Sequence, residues 1–268
     1  MANTAYNNFF LSNEVEDQFN SHLDLVRFCT VDRTLEGTPG MKRLINVYTA
    51  TDGTEILGQG EGNTKSIEVG YTQREYDILL AQNRFIWHDE EAMKDPMLVP
   101  TGMKHAGTDL FNTANGGIFG EFKKASLSVP ATAFNYDAFV DAVAKLSLPE
   151  NEEVEVFGFV NKTAKAMLRK ALKDDLKYVE AFVRTGYIGT ICGVNLYDKE
   201  DADDDAIYIG TRKAVTLFTK KGASVEVVTE NARSAEDANV RKNTAFARKY
   251  YVPALTDETQ VVKIALNA

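Results

Sequence analysis

The stretch GQGEGNTK at residues 58–65 carries glycines, an asparagine and a lysine, which are residue types that can cradle a phosphate group. A phosphate-binding P-loop needs the pattern GxxxxGK[ST] between a strand and a helix. Here Lys65 follows Thr64 rather than a glycine, and the segment after it alternates like a strand. The context favours a flexible hairpin tip, and an α/β enzyme that binds a phosphorylated small molecule is kept as an alternative.

A second candidate is an acidic run in which Asp201, Asp203 and Asp205 have the 1, 3, 5 spacing of a calcium loop. The glycine needed at position six is Ala206, and position twelve is Arg212 rather than glutamate. The run is therefore predicted to be a solvated loop.

The histidines and cysteines form no catalytic or metal pattern. His22, His88 and His105 lie in no HExxH motif, and the acidic residues after His88 are explained by a helix start. Cys29 and Cys192 are far apart and belong to no metal-type pair. We therefore predict no catalytic residue, no cofactor and no metal site, and a binding or structural role.

Composition agrees with an ordinary globular chain. Of 268 residues, 44% are hydrophobic and 26% are charged, and the net charge is −9. An acidic chain is a poor candidate for a dedicated nucleic-acid binder, because phosphate neutralisation dominates such affinity. The sequence also shows no apolar run of about 18 residues and no signal-peptide pattern, so neither a membrane span nor secretion is predicted.

The N-terminal segment 12–29 is predicted to be an amphipathic helix that Ser12 caps. Such an arm must dock its apolar stripe, within the chain or on a neighbour. The stripe consists of Val15, Phe19, Leu23 and Val26.

Residues 41–80 are predicted to form a long two-stranded ribbon. The breaker GTPG at 37–40 precedes a strand at 41–50, and a second alternating strand covers 66–80. The glycine-rich stretch 51–65 is the tip between them. An isolated ribbon is marginally stable, so this one needs a partner surface.

A helix is predicted from Met103 to about Lys124, after Pro96 and Pro100 interrupt helical continuity. Its glycines indicate a bend or the close approach of another backbone. They are Gly107, Gly116, Gly117 and Gly120.

The remainder has a compact α/β pattern. Helices are predicted at 135–146 and 161–183, with Asn135 and Asn161 as caps. An acidic loop covers 198–205. Strands are predicted at 153–160, 187–197 (a strand or strand pair), 206–211, 214–219, 224–230 and 259–266.

Six stretches, taken in order and with their spacing, carry a resemblance to a known family. They are EGTPGMKRLINVYTA, REYDILLAQNRFIWHDEEAMKD, VEVFGFVNKTAKAMLRKAL, YIGTICGVNLYDKE followed by AIYIGTRKAVTLFTKK, and VVKIAL. The chain resembles the major capsid protein of tailed bacteriophages, in the Hong Kong 97-like family that encapsulins share.

The resemblance implies an α+β Hong Kong 97-like capsid fold with an N-terminal arm, an extended two-stranded loop, a peripheral domain with a spine helix, and an α/β axial domain. The implied ranges are 1–40 for the arm, 41–80 for the extended loop, 81–130 for the peripheral domain, 131–256 for the axial domain, and 257–268 for a terminal strand that returns to the peripheral domain.

The resemblance also implies a structural protein without catalysis. It would assemble as hexamers and pentamers into an icosahedral virion head around double-stranded DNA, without sequence-specific binding or a membrane. It would be made in the host cytoplasm, with a portal and a separate scaffolding protein as partners, since the chain has no room for a long N-terminal scaffolding segment. An encapsulin shell is the alternative. Covalent cross-linking through Lys65 is not predicted.

The resemblance further implies inter-subunit contacts at two places. One is the arm stripe named above. The other is the tip of the extended loop, formed by Gly58, Gly60, Gly62, Asn63 and Lys65.

Overall fold

A computed structural model describes residues 24–51, 53–148, 153–172, 189–228 and 235–266. The helices are α1 (Asp89–Lys94), α2 (Leu98–Phe122), α3 (Tyr136–Lys145), α4 (Lys162–Ala171) and α5 (Ala235–Asn239), with short 3-10 helices at Leu25–Phe28 and Glu258–Gln260. The strands are β1 (Thr30–Asp32), β2 (Lys42–Ala50), β3 (Val69–Asp77), β4 (Leu79–His88), β5 (Leu127–Ala131), β6 (Val156–Val160), β7 (Thr190–Ile191), β8 (Val194–Asp198), β9 (Ala206–Thr211), β10 (Val215–Val228), β11 (Lys242–Leu255) and β12 (Val261–Leu266).

These strands form two sheets and one separate ribbon. The four-stranded sheet has the order β1-β10-β11-β4, and the six-stranded sheet has the order β5-β12-β9-β6-β8-β7. Strands β2 and β3 pair only with each other among the described residues. The α+β class predicted from the sequence is confirmed.

Strand pairing joins segments that are far apart in the chain. Strands β10 and β11 fall inside the range 131–256, yet they pair with each other and with β4 in the four-stranded sheet. Strand β12 lies between β9 and β5 in the six-stranded sheet. The boundaries of the five predicted ranges stay a prediction.

The long helix α2 begins earlier than its apolar spacing indicated. Its first turn contains Pro100, where a proline is tolerated because backbone N–H groups in the first turn have no partner in the helix. The close approach that glycine permits occurs at Gly102, where an added Cβ would lie 2.3 Å from the ring of Phe85. The sequence prediction had named other glycines, and of these Gly117 meets Pro253 at 3.4 Å while Gly116 has open space.

Asparagine caps begin the next two helices, as predicted. The Asn135 side chain accepts a hydrogen bond from the Ala138 N–H at 3.0 Å, and Asn161 accepts one from the Ala164 N–H at 2.7 Å. Helix α4 is described to Ala171, and the rest of the predicted helix 161–183 lies outside the described residues beyond 172.

An aromatic cluster joins α2, the six-stranded sheet and the segment that follows the arm. Its centre is Phe159 on β6, which is fully buried. Edge-to-face and tilted ring contacts with centroids 5.3–5.8 Å apart surround it, a favourable arrangement for aromatic pairs. The neighbouring rings belong to Phe28, Phe119, Phe122 and Phe157.

Strands β10 and β11 are each 14 residues long. The predicted strands at 214–219 and 224–230 are one strand, whose pairing with β11 shifts register between Thr219 and Ser224. The predicted strand pair at 187–197 is confirmed as β7 and β8, which a turn with positive φ at Cys192 and Gly193 connects. In the described part of the chain, no helix has the length and apolar character to cross a bilayer.

Candidate functional site

The ribbon of β2 and β3 leaves the two sheets and carries the glycine-rich tip. Its ladder runs from the Lys42–Asp77 pair to the Ala50–Val69 pair. Beyond the ladder, the Thr51 N–H donates to the Glu68 carbonyl at 3.1 Å. The predicted two-stranded excursion is therefore confirmed.

One face of the ribbon carries apolar side chains that no described part of the chain covers. Because residues directly opposite each other in an antiparallel ladder share a face, the register assigns these side chains to one side. Tyr48 and Tyr71 form a ring pair at 6.0 Å, yet they are 64% and 67% exposed. Leu44 and Val69 on the same face are also exposed. We call Leu44, Tyr48, Val69 and Tyr71 the open face.

The opposite face is held at its base by the chain's own body. Arg74 donates a guanidinium N–H to the Thr256 carbonyl at 3.4 Å. The other contacts are the Arg43–Asp32 ion pair at 3.2 Å, the Tyr76–Phe218 ring stack at 5.1 Å and the Arg74–Glu258 ion pair at 3.6 Å. We call the two ion pairs and the ring stack the basal contacts. The ribbon is therefore two-sided, with one face fixed at its base and one face open.

The predicted tip residues form a turn. The Glu61 N–H donates to the Gly58 carbonyl at 3.2 Å, and the Glu61 carboxylate accepts from the Gly58 N–H at 2.9 Å. Gly60 has φ +88°, which explains a glycine at this position. Gly62 has open space around its Cα.

Asn63 ties the turn to the chain before it. Its amide donates to the Gly53 carbonyl at 3.3 Å, and its side-chain oxygen accepts from the Lys65 N–H at 3.1 Å. An added Cβ at Gly53 would lie 2.8 Å from Ile67, so the two sides of the tip approach closely there. The tip has a hydrogen-bonded conformation, and its predicted flexibility stays a prediction. Its contacts with another subunit stay a prediction.

Glu55 makes contacts within the tip that the sequence did not indicate. Its carboxylate accepts hydrogen bonds from the Thr64 N–H at 2.8 Å and from the Thr64 hydroxyl at 2.9 Å. These bonds, the backbone one first, lower the pKa of Glu55 below its usual value. Glu55 lies nine residues before its partner in an irregular segment, so no periodicity marks it.

The same hydrogen bonds argue against a phosphate cradle. The Gly58 and Thr64 N–H groups, which an anion would need, already donate to the carboxylates of Glu61 and Glu55. Two carboxylates at the tip would repel a phosphate. A strand follows the tip, whereas a P-loop is followed by a helix.

Of the four predicted arm residues, only Val26 lies within the described residues. Val15, Phe19 and Leu23 lie outside the described residues. Val26 is half-buried and packs on the chain's own aromatic core, so part of its surface is used within the subunit. The end of the predicted helix 12–29 is a 3-10 turn, whose Leu25 N–H donates to the Asn115 side chain at 3.3 Å. An inter-subunit contact of the arm stays a prediction.

The carboxylates of the acidic loop point to separate partners. Asp203 accepts hydrogen bonds from Lys123 at 2.7 Å and from Tyr208 at 2.6 Å, while Asp201 pairs with Lys199. Among the described residues, no group of three or more His, Cys, Asp or Glu side chains could hold a metal ion. The three aspartates therefore do not converge as calcium ligands would.

The other candidate residues have structural surroundings. The His88 backbone N–H donates to Glu91 at 3.0 Å as part of a capping box that begins α1. Trp87 is buried and stacks on Phe85 at 5.2 Å. Burial raises the pKa of the Cys29 thiol to about 12, which keeps it protonated and unreactive at neutral pH.

The Glu55 contact gives a measurable pKa. We expect NMR titration to find the pKa of Glu55 below the 4.5 of a free glutamate, because hydrogen bonding favours the ionised form. Because folding lowers the pKa of Glu55, its ionised carboxylate stabilises the folded tip above pH 4.5. This stabilisation is lost as the pH falls through the pKa of Glu55 in the folded protein. Thr64→Val removes the hydroxyl and keeps the N–H, so the pKa should rise only part of the way. An unshifted wild-type pKa would show that the contact is absent in solution.

Comparison with solved structures identifies the fold. The chain matches the capsid of Cyanophage P-SCSP1u with a TM-score of 0.71 at 11% identity, over 90% of this chain and 86% of that one. It matches Mycobacterium phage Che8 with a TM-score of 0.66 at 16% identity, over 87% and 88%. A virus-like particle from Pyrococcus furiosus matches with a TM-score of 0.64 at 13% identity, over 96% and 98%. The chain has the Hong Kong 97-like capsid fold, which confirms the predicted class.

One sequence relative agrees with this fold. The chain is 23% identical over 261 residues to the major capsid protein of Staphylococcus phage phiMR11, which covers 93% of this chain and 89% of that protein. No protein-family model matches the chain. The relative is a phage major capsid protein, as the sequence resemblance predicted.

Proposed function

We propose that this protein is a phage major capsid protein, a structural subunit that assembles with copies of itself into the icosahedral head around double-stranded DNA. The observation that carries the proposal is the ribbon with an open face, on a chain with the capsid fold. The relative's similarity over most of both chains supports the same function.

The ribbon supports self-assembly on physical grounds. A two-stranded ribbon is at best marginally stable by itself, and exposed tyrosine, leucine and valine side chains gain free energy when they leave water. The open face lies on one side of a ribbon whose base is fixed to the body, so a surface outside the subunit must cover it. A second copy is the partner that the capsid fold supports.

Tip and arm receive specific roles in this proposal. Residues 58–65 would lie on a neighbouring subunit, with the Gly60 turn and the Glu55 contact presenting one defined shape. The arm stripe would contact a neighbour through residues before Asp24. Hexamers and pentamers, a portal and a separate scaffolding protein belong to the same proposal.

The acidic composition suits a shell that encloses DNA without gripping it. A net charge of −9 opposes tight phosphate binding. The protein would have no enzymatic activity, would be made in the host cytoplasm and would end in the virion.

An encapsulin-type shell is the second candidate, because the Pyrococcus furiosus virus-like particle matches nearly the full length of both chains. The phage relative at the sequence level favours the phage capsid.

Negative-stain electron microscopy with light scattering on the purified protein tests the assembly function. Closed shells, tubes or ring-shaped capsomers would support it. Because a missing scaffold can block assembly, the experiment is repeated with co-expressed neighbouring gene products. A monomer of 29.7 kDa in both preparations would overturn the proposal.

Adjacent ribbon positions supply a matched pair of variants. Tyr71→Asp should reduce the yield of shells at least tenfold, because it buries a charge in the proposed interface without a partner. Thr72→Asp adds the same charge to the same strand on the opposite face and should assemble nearly normally. Shell yield is measured by sedimentation. Equal loss in both variants, or in neither, would contradict the assignment of the open face.

A further inference from the structure

We propose that the basal contacts form an ionic latch that sets the angle of the ribbon against the body and yields to salt. The latch consists of the Arg43–Asp32 and Arg74–Glu258 ion pairs with the Tyr76–Phe218 stack between them. Its role in assembly rests on the proposed capsid function, whereas its existence rests on the contacts alone.

The ribbon joins the body where each of its two strands begins or ends. One residue, Ile78, separates β3 from β4, and its N–H donates to the Met41 carbonyl at 2.7 Å. Ile78 is buried, so this hydrogen bond marks a fixed pivot. On the other strand, Gly40 precedes β2 with φ +108°, and Lys220 donates to its carbonyl at 2.5 Å.

The latch lies beyond the pivot and on one face only. Arg43 and Tyr76 are directly opposite each other in the ladder, and Arg74 is two residues along β3 from Tyr76. All three side chains therefore point to the same side, toward the body. The body groups that receive them come from separate segments, namely β1, β10 and the 3-10 helix before β12.

The composition of the latch makes it adjustable. Arg74 and Glu258 are 38% and 49% exposed, so salt screens their attraction. The ring stack supplies a contact that salt does not screen. A ribbon held in this way keeps a preferred angle in dilute buffer and gains freedom when the ion pairs weaken. Different angles would let one subunit fit different neighbours in a closed shell.

Distance measurements between two spin labels test the latch in the full-length protein. Labels are placed at Gly62→Cys, where the space around the tip is open, and at Asp141→Cys on the exposed side of α3. Cys192→Asn removes the partly exposed thiol, because asparagine tolerates the φ of +50° there. Buried Cys29 remains. Dilution with unlabelled protein isolates distances within one subunit.

The wild-type distance distribution should have one dominant peak in about 0.1 M salt and should broaden in about 1 M salt, where the Debye length falls from about 10 to about 3 Å. Arg74→Glu should lower the dominant population about two- to fivefold in dilute buffer, the size expected of a half-exposed ion pair. The double variant R74E/E258R reverses the charges and should restore part of the peak, because it regains the ion pair but not the hydrogen bond to the Thr256 carbonyl.

The control is Lys162→Glu, which breaks the exposed ion pair between Lys162 on α4 and Glu200 in the acidic loop and should leave the distribution unchanged. A distribution unaffected by salt and by Arg74→Glu would overturn the latch, as would a double variant whose dominant population is no larger than that of Arg74→Glu alone. Shells with an unchanged distribution would refute the latch and keep the capsid function. A distribution that responds to salt and to Arg74→Glu, in a protein that never assembles, would support the latch and refute the capsid function.

Discussion

Deletion of residues 52–64 is expected to abolish closed shells and to leave the two sheets folded. The deletion removes the tip with its Gly60 turn and the Glu55 carboxylate, and it joins Thr51 to Lys65. Thr51 and Glu68 are hydrogen-bonded across the ribbon, so residues 65–67 can close the shortened hairpin. The aromatic core and both sheets make no use of the deleted residues.

Two measurements check this prediction. Electron microscopy should show no closed shells, while urea unfolding followed by the single tryptophan, Trp87, should give a midpoint close to that of the wild type. Gly62→Ala is a folding control in the same loop and should leave the urea midpoint unchanged, because an added Cβ meets nothing within 4 Å in the subunit itself. Intact shells from the deletion would remove the tip from the assembly interface.

Phe159→Ala is expected to cause the largest loss of stability among the substitutions considered. Its ring is fully buried and contacts four other aromatic rings, so truncation leaves a cavity at the junction of β6, α2 and the segment after the arm. Phenylalanine-to-alanine changes in cores cost about 3–5 kcal/mol, which lowers the Tm by roughly 10 °C for a chain of this size.

Urea unfolding of the dispersed subunit measures the loss of free energy. Tyr136→Ala is the control, because that side chain is largely exposed and its removal should cost less than about 0.5 kcal/mol. A loss below about 1 kcal/mol for Phe159→Ala would show that the aromatic cluster does not hold the elements together.

Local rules predicted much of the fold. Asn135 and Asn161 precede apolar stripes with helical spacing, and each caps a helix in the structure. The ribbon was predictable because its two alternating strands flank a glycine-rich stretch. These features depend on residues near one another in sequence, which a single sequence records.

Features that depend on distant partners were missed. Two strands were predicted at 214–219 and 224–230, but pairing with β11 carries one strand through an irregularity in register. Pro130 lies in β5, an edge strand, where the missing N–H is tolerated. Gly102 in α2 is explained only by the ring of Phe85, which lies on β4.

The candidate site was predictable in position but not in detail. Glycines at 58, 60 and 62 located the tip because glycine suits a turn. Of the three, only Gly60 has a positive φ. No pattern in the sequence indicated that Glu55 contacts Thr64, or that the two faces of the ribbon differ. Which face is fixed depends on Asp32, Phe218 and Glu258, which are remote in sequence from β2 or β3.

The single residue between β3 and β4 has a mechanical consequence. Tension that β3 carries from the ribbon reaches the body at the first residue of β4, and β4 pairs with β11 over its whole length from Leu79 to His88. Such a pull acts along the ladder, so many hydrogen bonds resist it together instead of breaking one after another. A force on the ribbon would therefore be distributed over the four-stranded sheet, and its attachment would resist stretching far better than it resists bending at Ile78.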